Sequence, residues 1–172
     1  ENISEKDLKH FSVVVQLADF SNDPINKLKP NLFYNRTKNY TIKVAKICKK
    51  LGIKFIYPSS CSVYGVNEKV LNEKSLTNPQ THYSKNKLKI ENALKKISDK
   101  NFVPIILRLA TVFGYSPRIR FDVVINMLIG MALTSKKIIL NSDGKAWRPH
   151  VFIDDVCMII IKLIKKKKLR NS

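Results

Sequence analysis

The chain has 172 residues, 44% of them hydrophobic, which suits one cored domain and excludes a disordered chain. Its net charge of +19 would favour phosphate-rich partners, but the lysines are spread along almost every segment. No zinc finger, helix-turn-helix or aromatic-basic stacking motif accompanies that charge, so nucleic acid is not the expected partner.

Three cysteines, Cys48, Cys61 and Cys157, lie far apart with no metal-ligand spacing, which argues for a reducing compartment and against a disulfide framework or a metal site. The apolar runs at 102–113 and 151–164 are too short or too charged to span a bilayer, and no signal peptide is read. The cytoplasm is the expected location.

Strand and helix signals then alternate, the pattern of a parallel sheet with covering helices. Residues 13–18 read as a buried strand, and Asn22-Asp23-Pro24 breaks the chain. A helix is expected from Pro30 to about Leu51, with Leu32, Phe33, Ile42, Val44, Ala45 and Ile47 at helical spacing and Gly52 as its stop. Residues 53–57 form the next strand, followed by a serine-rich turn at 59–65 and a polar loop at 66–80. A second helix carries Tyr83 and runs to about Lys96, with Leu88, Ala93, Leu94 and Ile97 inward, and 103–109 is a third strand. Beyond Gly114 the pattern gives a basic turn at 116–120, an apolar helix at 123–133, a short strand at 138–140 and a turn at 141–145. A strand at 151–153 precedes a last helix that Asp154 and Asp155 begin, carboxylates suiting free N–H groups there. The run Lys165–Lys168 reads as the solvated end of that helix. The change of character near Tyr115 divides the chain into residues 1–114 and 115–172.

Tyr83 and Lys87 carry the most chemistry. Four apart on a helix, they share one face. An unperturbed tyrosine has a pKa of ~10, and bringing it near neutrality takes about 4 kcal/mol. An ammonium ~5 Å away supplies roughly 3 kcal/mol at an effective dielectric of ~20. A cationic nicotinamide can supply the rest, so the pair suits removal of a proton from an alcohol beside an oxidised nicotinamide. Ser60, delivered from a strand end, can hydrogen-bond the same alcohol oxygen. His10, His82 and His150 form no ligand cluster, and no metal is expected.

The segments Leu17-Ala18, Asn35, Ser59–Gly65, Tyr83–Lys87, Arg108–Gly114, Ser116–Asp122 and Trp147–Asp155, in this order, resemble the NAD-dependent epimerase/dehydratase family, the extended short-chain dehydrogenase/reductases. The resemblance implies a Rossmann-like parallel sheet of α/β class with part of a C-terminal substrate-binding region. It makes Tyr83 the acid/base, Lys87 a ligand of the nicotinamide ribose and Ser60 the residue that orients the sugar hydroxyl. Leu17, Ala18 and Asn35 would line the dinucleotide cleft. Tyr57 to Ser59 would lie beneath the nicotinamide, and Leu109 to Thr111 would close its far side. Arg148, with Arg118 and Arg120, would meet the diphosphate of a nucleotide sugar, a role that the guanidinium fork suits. Ser62 and Thr111 join the substrate set. The implied cofactor is NAD, with NADP left open, and the implied full-length form is a homodimer.

Departures from the family narrow the reading. The Asp-Glu pair of its 4,6-dehydratases is here Cys61 and Ser62, which argues for epimerisation or plain redox chemistry rather than elimination. Lys38 and Asn39 stand where Gly-Thr is usual after Asn35, and Phe152 replaces a common histidine. The five glycines are dispersed, and no glycine-rich turn of the dinucleotide-binding kind is present. The resemblance begins near the fourth strand of the fold, so about 60 residues carrying the pyrophosphate site would lie outside this chain. The sequence thus reads as a fragment of a nucleotide-sugar epimerase. A reductase or dehydrogenase of the same family, or a non-catalytic basic remnant of the fold, stand as alternatives.

Overall fold

The computed structural model describes residues 2–19, 30–67, 70–140, 143–144 and 147–166, with backbone alone at 30–33. Its elements are α1 (Glu5–Leu8), β1 (Val13–Val15), α2 (Pro30–Leu51), β2 (Lys54–Ser60), a 3₁₀ turn (Cys61–Tyr64), α3 (His82–Ile97) and β3 (Ile105–Leu109). After these come β4 (Thr111–Phe113), α4 (Val124–Ser135), β5 (His150–Phe152) and α5 (Ile153–Lys165). Two compact units result, one ending at Arg108 and the other running from Leu109.

In the first unit the strands are ordered β1-β2-β3. β1 and β2 run parallel, with Val13, Val14 and Val15 opposite Lys54, Phe55 and Ile56. Side chains alternate across a strand, so Phe55 and Tyr57 share one face of β2. That face meets Val44, Ala45 and Cys48 of α2 and Ile90 and Leu94 of α3, the centre of the core. Phe55, Ile90 and Leu94 are wholly buried, and each such side chain stabilises the unit by roughly 1.5–3 kcal/mol.

The helix boundaries follow local chemistry. α2 ends at Leu51, and Gly52 takes φ 68°, a left-handed conformation that favours glycine. Thr81 caps α3: its Oγ1 accepts from Ser84 N at 3.1 Å while Thr81 N donates to Ser84 Oγ at 3.0 Å. Gly65, at φ 73°, closes the 3₁₀ turn where any Cβ would collide with the carbonyl of Asn78.

Three expected elements differ. β1 stops at Val15, and one further rung, Gln16 N to Ile56 O at 2.9 Å, precedes a tight turn in which Leu17 N donates to Val15 O. β2 runs on through Pro58 to Ser60, so the serines at 59 and 60 belong to a strand rather than a turn. Residues 138–140 form no strand; among the described residues no strand pairs with them, and Ile138, Ile139 and Leu140 stay exposed. The break at 22–24, the side chains of Leu32 and Phe33, part of the 141–145 turn and Lys167–Lys168 lie outside the described residues.

In the second unit β4 and β5 pair in parallel, Thr111 opposite His150 and Phe113 opposite Phe152. α5 follows β5 directly, with Asp154 and Asp155 in its first turn, as carboxylates at a helix start favour. Among the described residues no helix is long and apolar enough to cross a membrane.

Candidate active site

α3 and the carboxyl end of β2 hold the predicted acid/base residues together. Tyr83 and Lys87 lie on one face of α3, and the Lys87 ammonium sits 5.5 Å from the centre of the Tyr83 ring. It also lies 4.8 Å from the centre of the Tyr57 ring, a cation–π distance. Lys87 Nζ donates to the carbonyl of Pro58 at 2.9 Å. Its side chain is only 6% exposed, so a long flexible residue is fixed in one position. That carbonyl precedes Ser60 by two residues, and the same bond ties α3 to the strand end that presents Ser60.

Ser60 is half-buried and caps the 3₁₀ turn, its Oγ accepting from Ser62 N at 3.2 Å. The acceptance leaves its O–H proton available as a donor. Ser62 Oγ is buried and has no partner among the described residues. Cys61 is half-buried and in no disulfide. Tyr57 forms the floor beneath Lys87: burial first, then the charges of Asp19, Tyr83 and Glu91, push its phenol far above the usual tyrosine range. It therefore stays neutral.

Two residues that the sequence reading missed complete the site. Asp19 Oδ2 lies 2.6 Å from Lys87 Nζ, with Asp19 10% exposed, and offsets part of the ammonium's field at Tyr83. Glu91, wholly buried one turn beyond Lys87, accepts from Ser59 Oγ at 2.6 Å and from Arg108 Nη2 at 2.7 Å. Arg108 Nη1 in turn donates to Tyr64 Oη at 2.9 Å, and its guanidinium lies 4.8 Å over that ring. The hydrogen bonds to Glu91 hold Arg108 above even the ordinary arginine range, so its guanidinium is charged. The Ser59 hydroxyl is thereby committed to Glu91, and what Ser59 can offer a cofactor is backbone. An acidic residue at helical spacing after Lys87 is the one signal that could have found Glu91.

The cleft residues are more dispersed. Ala18 and Asp19 line a cavity of about 460 Å³ with Thr37 and Tyr40. Leu17 is 70% exposed, and Asn35 is exposed on α2. The other predicted residues belong to the second unit, where Leu109 ends β3 and Thr111 begins β4. Arg118 and Arg148 are exposed, and Arg120 is paired through Nε with Asp122 Oδ1 at 2.9 Å. Buried Asn126 holds this basic turn: its Oδ1 accepts from Gly114 N at 3.1 Å and its Nδ2 donates to Arg120 O at 3.0 Å.

A family model, NAD dependent epimerase/dehydratase family, matches residues 3–171. The chain belongs to that family. Within the epimerase/dehydratase family it is 27% identical, over 99% of its length, to a dTDP-D-glucose 4,6-dehydratase of Dictyostelium discoideum. It is 30% identical, over 74% of its length, to YtcB, an uncharacterised UDP-glucose epimerase of Bacillus subtilis. It spans 42% and 40% of those two relatives, less than half of each. The crystal structure of a UDP-glucuronic acid 4-epimerase from Bacillus cereus, in complex with UDP-glucuronic acid and NAD, superposes with a TM-score of 0.79. It shares 28% identity, covering 95% of this chain and 52% of that one.

The residues present fit part of an NAD site. A buried ammonium at the carboxyl end of parallel strands, beside a carboxylate with unsatisfied oxygens, suits a ribose rich in hydroxyl groups. Among the described residues no group of His, Cys, Asp and Glu side chains could hold a metal ion.

Proposed function

We propose that the protein is an NAD-dependent nucleotide-sugar epimerase in which Tyr83, Lys87 and Ser60 carry the transient oxidation of one sugar hydroxyl. The observation that supports it best is Lys87, buried, tied to Pro58 O and set beside the Tyr83 ring. One hydrogen bond thus ties together the two elements that carry the three groups.

Ser60 donates its O–H to the substrate alcohol oxygen and holds it toward Tyr83. Tyr83 takes the alcohol proton as the carbon loses hydride. Lys87 places positive charge beside the phenol and meets the nicotinamide ribose. When bound, NAD supplies the acceptor that stores the hydride between the two half-reactions. The ketosugar turns over, hydride returns to its other face, and Tyr83 gives the proton back. Cys61 and Ser62 supply no carboxyl group for elimination, which favours this outcome over dehydration. In this reading Leu17, Ala18, Asn35, Tyr57 and Ser59 of the first unit serve the cofactor, and Leu109 of the second unit is assigned the same role by the family resemblance. The same reading assigns to the nucleotide sugar Ser62 of the first unit and Thr111, Arg118, Arg120 and Arg148 of the second. Three cysteines outside any disulfide suit the cytoplasm, and the full-length form is read as a homodimer.

The test is incubation of the full-length protein with a panel of UDP- and dTDP-sugars, followed by proton NMR. An epimer formed without net reduction of NAD is the expected result. Stoichiometric NADH would instead identify a dehydrogenase, and a deoxy-keto product would identify a dehydratase.

A further inference from the structure

Asp19 is a buried carboxylate that the proposed proton transfer leaves idle. It lies beyond the carboxyl end of β1, where ligands of parallel sheets bind, and lines the cavity beside Ala18. Its Oδ2 is 2.6 Å from Lys87 Nζ, yet neither carboxylate oxygen has a hydrogen-bond partner among the described residues. The ammonium makes its directed bond to Pro58 O. Asp19 is thus the counter-ion of Lys87 through Oδ2, while Oδ1 meets no donor among the described residues. A buried carboxylate in that state calls for O–H or N–H donors from elsewhere.

We propose that Asp19 and Lys87 form a two-sided clamp for a vicinal diol, Asp19 accepting from its hydroxyls and Lys87 donating to their oxygens. The diol is the nicotinamide-side ribose of the cofactor, and the proposal rests on the cofactor reading given above. Each ribose hydroxyl is both donor and acceptor. A lysine alone satisfies only the acceptor half, whereas a neighbouring carboxylate satisfies the donor half in a bidentate way. Asp19 thereby makes recognition depend on the hydroxyls themselves, because a deoxy analogue leaves the carboxylate unpaired.

The experiment is calorimetric titration of the full-length protein with NAD and with its analogue lacking the 2′-hydroxyl of the nicotinamide ribose. It compares wild type, Asp19→Asn and Asp19→Ala, with circular dichroism as the check on folding. Wild type should bind the analogue about tenfold or more weakly than NAD, the size expected for a lost hydrogen bond to a charged group. Both variants should bind NAD more weakly and discriminate less against the analogue than wild type does. The effect should be larger for Asp19→Ala than for Asp19→Asn, which keeps one acceptor, and the bond from Lys87 accounts for the discrimination that remains. Retention of the full wild-type discrimination by either variant would reduce Asp19 to a counter-ion and overturn the clamp. Equal binding of NAD and the analogue by wild type would overturn it even where neither variant folds. No NAD binding by wild type would sink the cofactor reading, and the clamp with it.

Discussion

Ser59 Oγ donates a 2.6 Å hydrogen bond to Glu91 Oε1, joining the end of β2 to the middle of α3 inside the core. Glu91 is wholly buried and shares its charge with Arg108, whose side chain is 13% exposed. Removing one partner of such a pair strands the other, at a cost of about 3–5 kcal/mol. Glu91→Ala should therefore lower the unfolding free energy by that amount in urea titrations. Adding Arg108→Met should recover part of it, since the second charge no longer lacks a partner. A single-mutant loss below about 1 kcal/mol would mean the pair is as weak as a surface one.

Tyr83 lies half-buried on α3, close to Lys87. Tyr83→Phe deletes the phenol oxygen proposed to transfer the proton and keeps the ring. We expect kcat of the full-length enzyme to fall by about 10²–10⁴, with the melting temperature nearly unchanged. Activity within a few-fold of wild type would move the acid/base role to another residue.

Asp99 anchors the turn between α3 and β3. Its carboxyl is held below the usual range first by the hydrogen bond from Lys49 and then by the backbone N–H groups of Asn101 and Phe102. A folded-state value below the unfolded one contributes stability that is full above the ordinary carboxylate pKa of ~3.9. That contribution is lost as pH falls through the lowered value. Melting temperatures across the acid range should thus decline less for Asp99→Asn than for wild type. Parallel curves would show that Asp99 adds nothing to acid sensitivity.

Cys48 is buried in the core, where desolvation pushes its thiol up to about 11. Thiolate is the reactive form, so Cys48 should resist thiol reagents at neutral pH until the protein unfolds. Exposed Cys157 should react first. Mass spectrometry of partially labelled protein gives the order, and early labelling at Cys48 would reveal local opening of α2.

Much of this was readable along the chain. α2 runs over the residues its apolar spacing and Gly52 indicate, and Thr81 opens α3 just ahead of Tyr83. Tyr83 and Lys87 share a face because helical periodicity puts them there. The extension of β2 was less readable, because Pro58 signals a break; it lies beyond Lys54–Ile56, the residues that β1 pairs with. The apolar residues 138–140 erred the other way: strand composition without a partner strand gives no strand.

Asp19, Glu91 and Asn126 had no signal strong enough to be chosen. A lone aspartate after Leu17-Ala18 looks like a loop residue, and a glutamate on a lysine-rich helix looks like a solvated one. The sequence by itself determined what depends on neighbours: the helices, their caps, the Tyr83–Lys87 face and the family resemblance. Only the tertiary structure decided which distant charges meet, Asp19 with Lys87 and Glu91 with Arg108. Such pairings depend on how helices settle on the sheet, and burial there turns an ordinary surface charge into one that must find a partner.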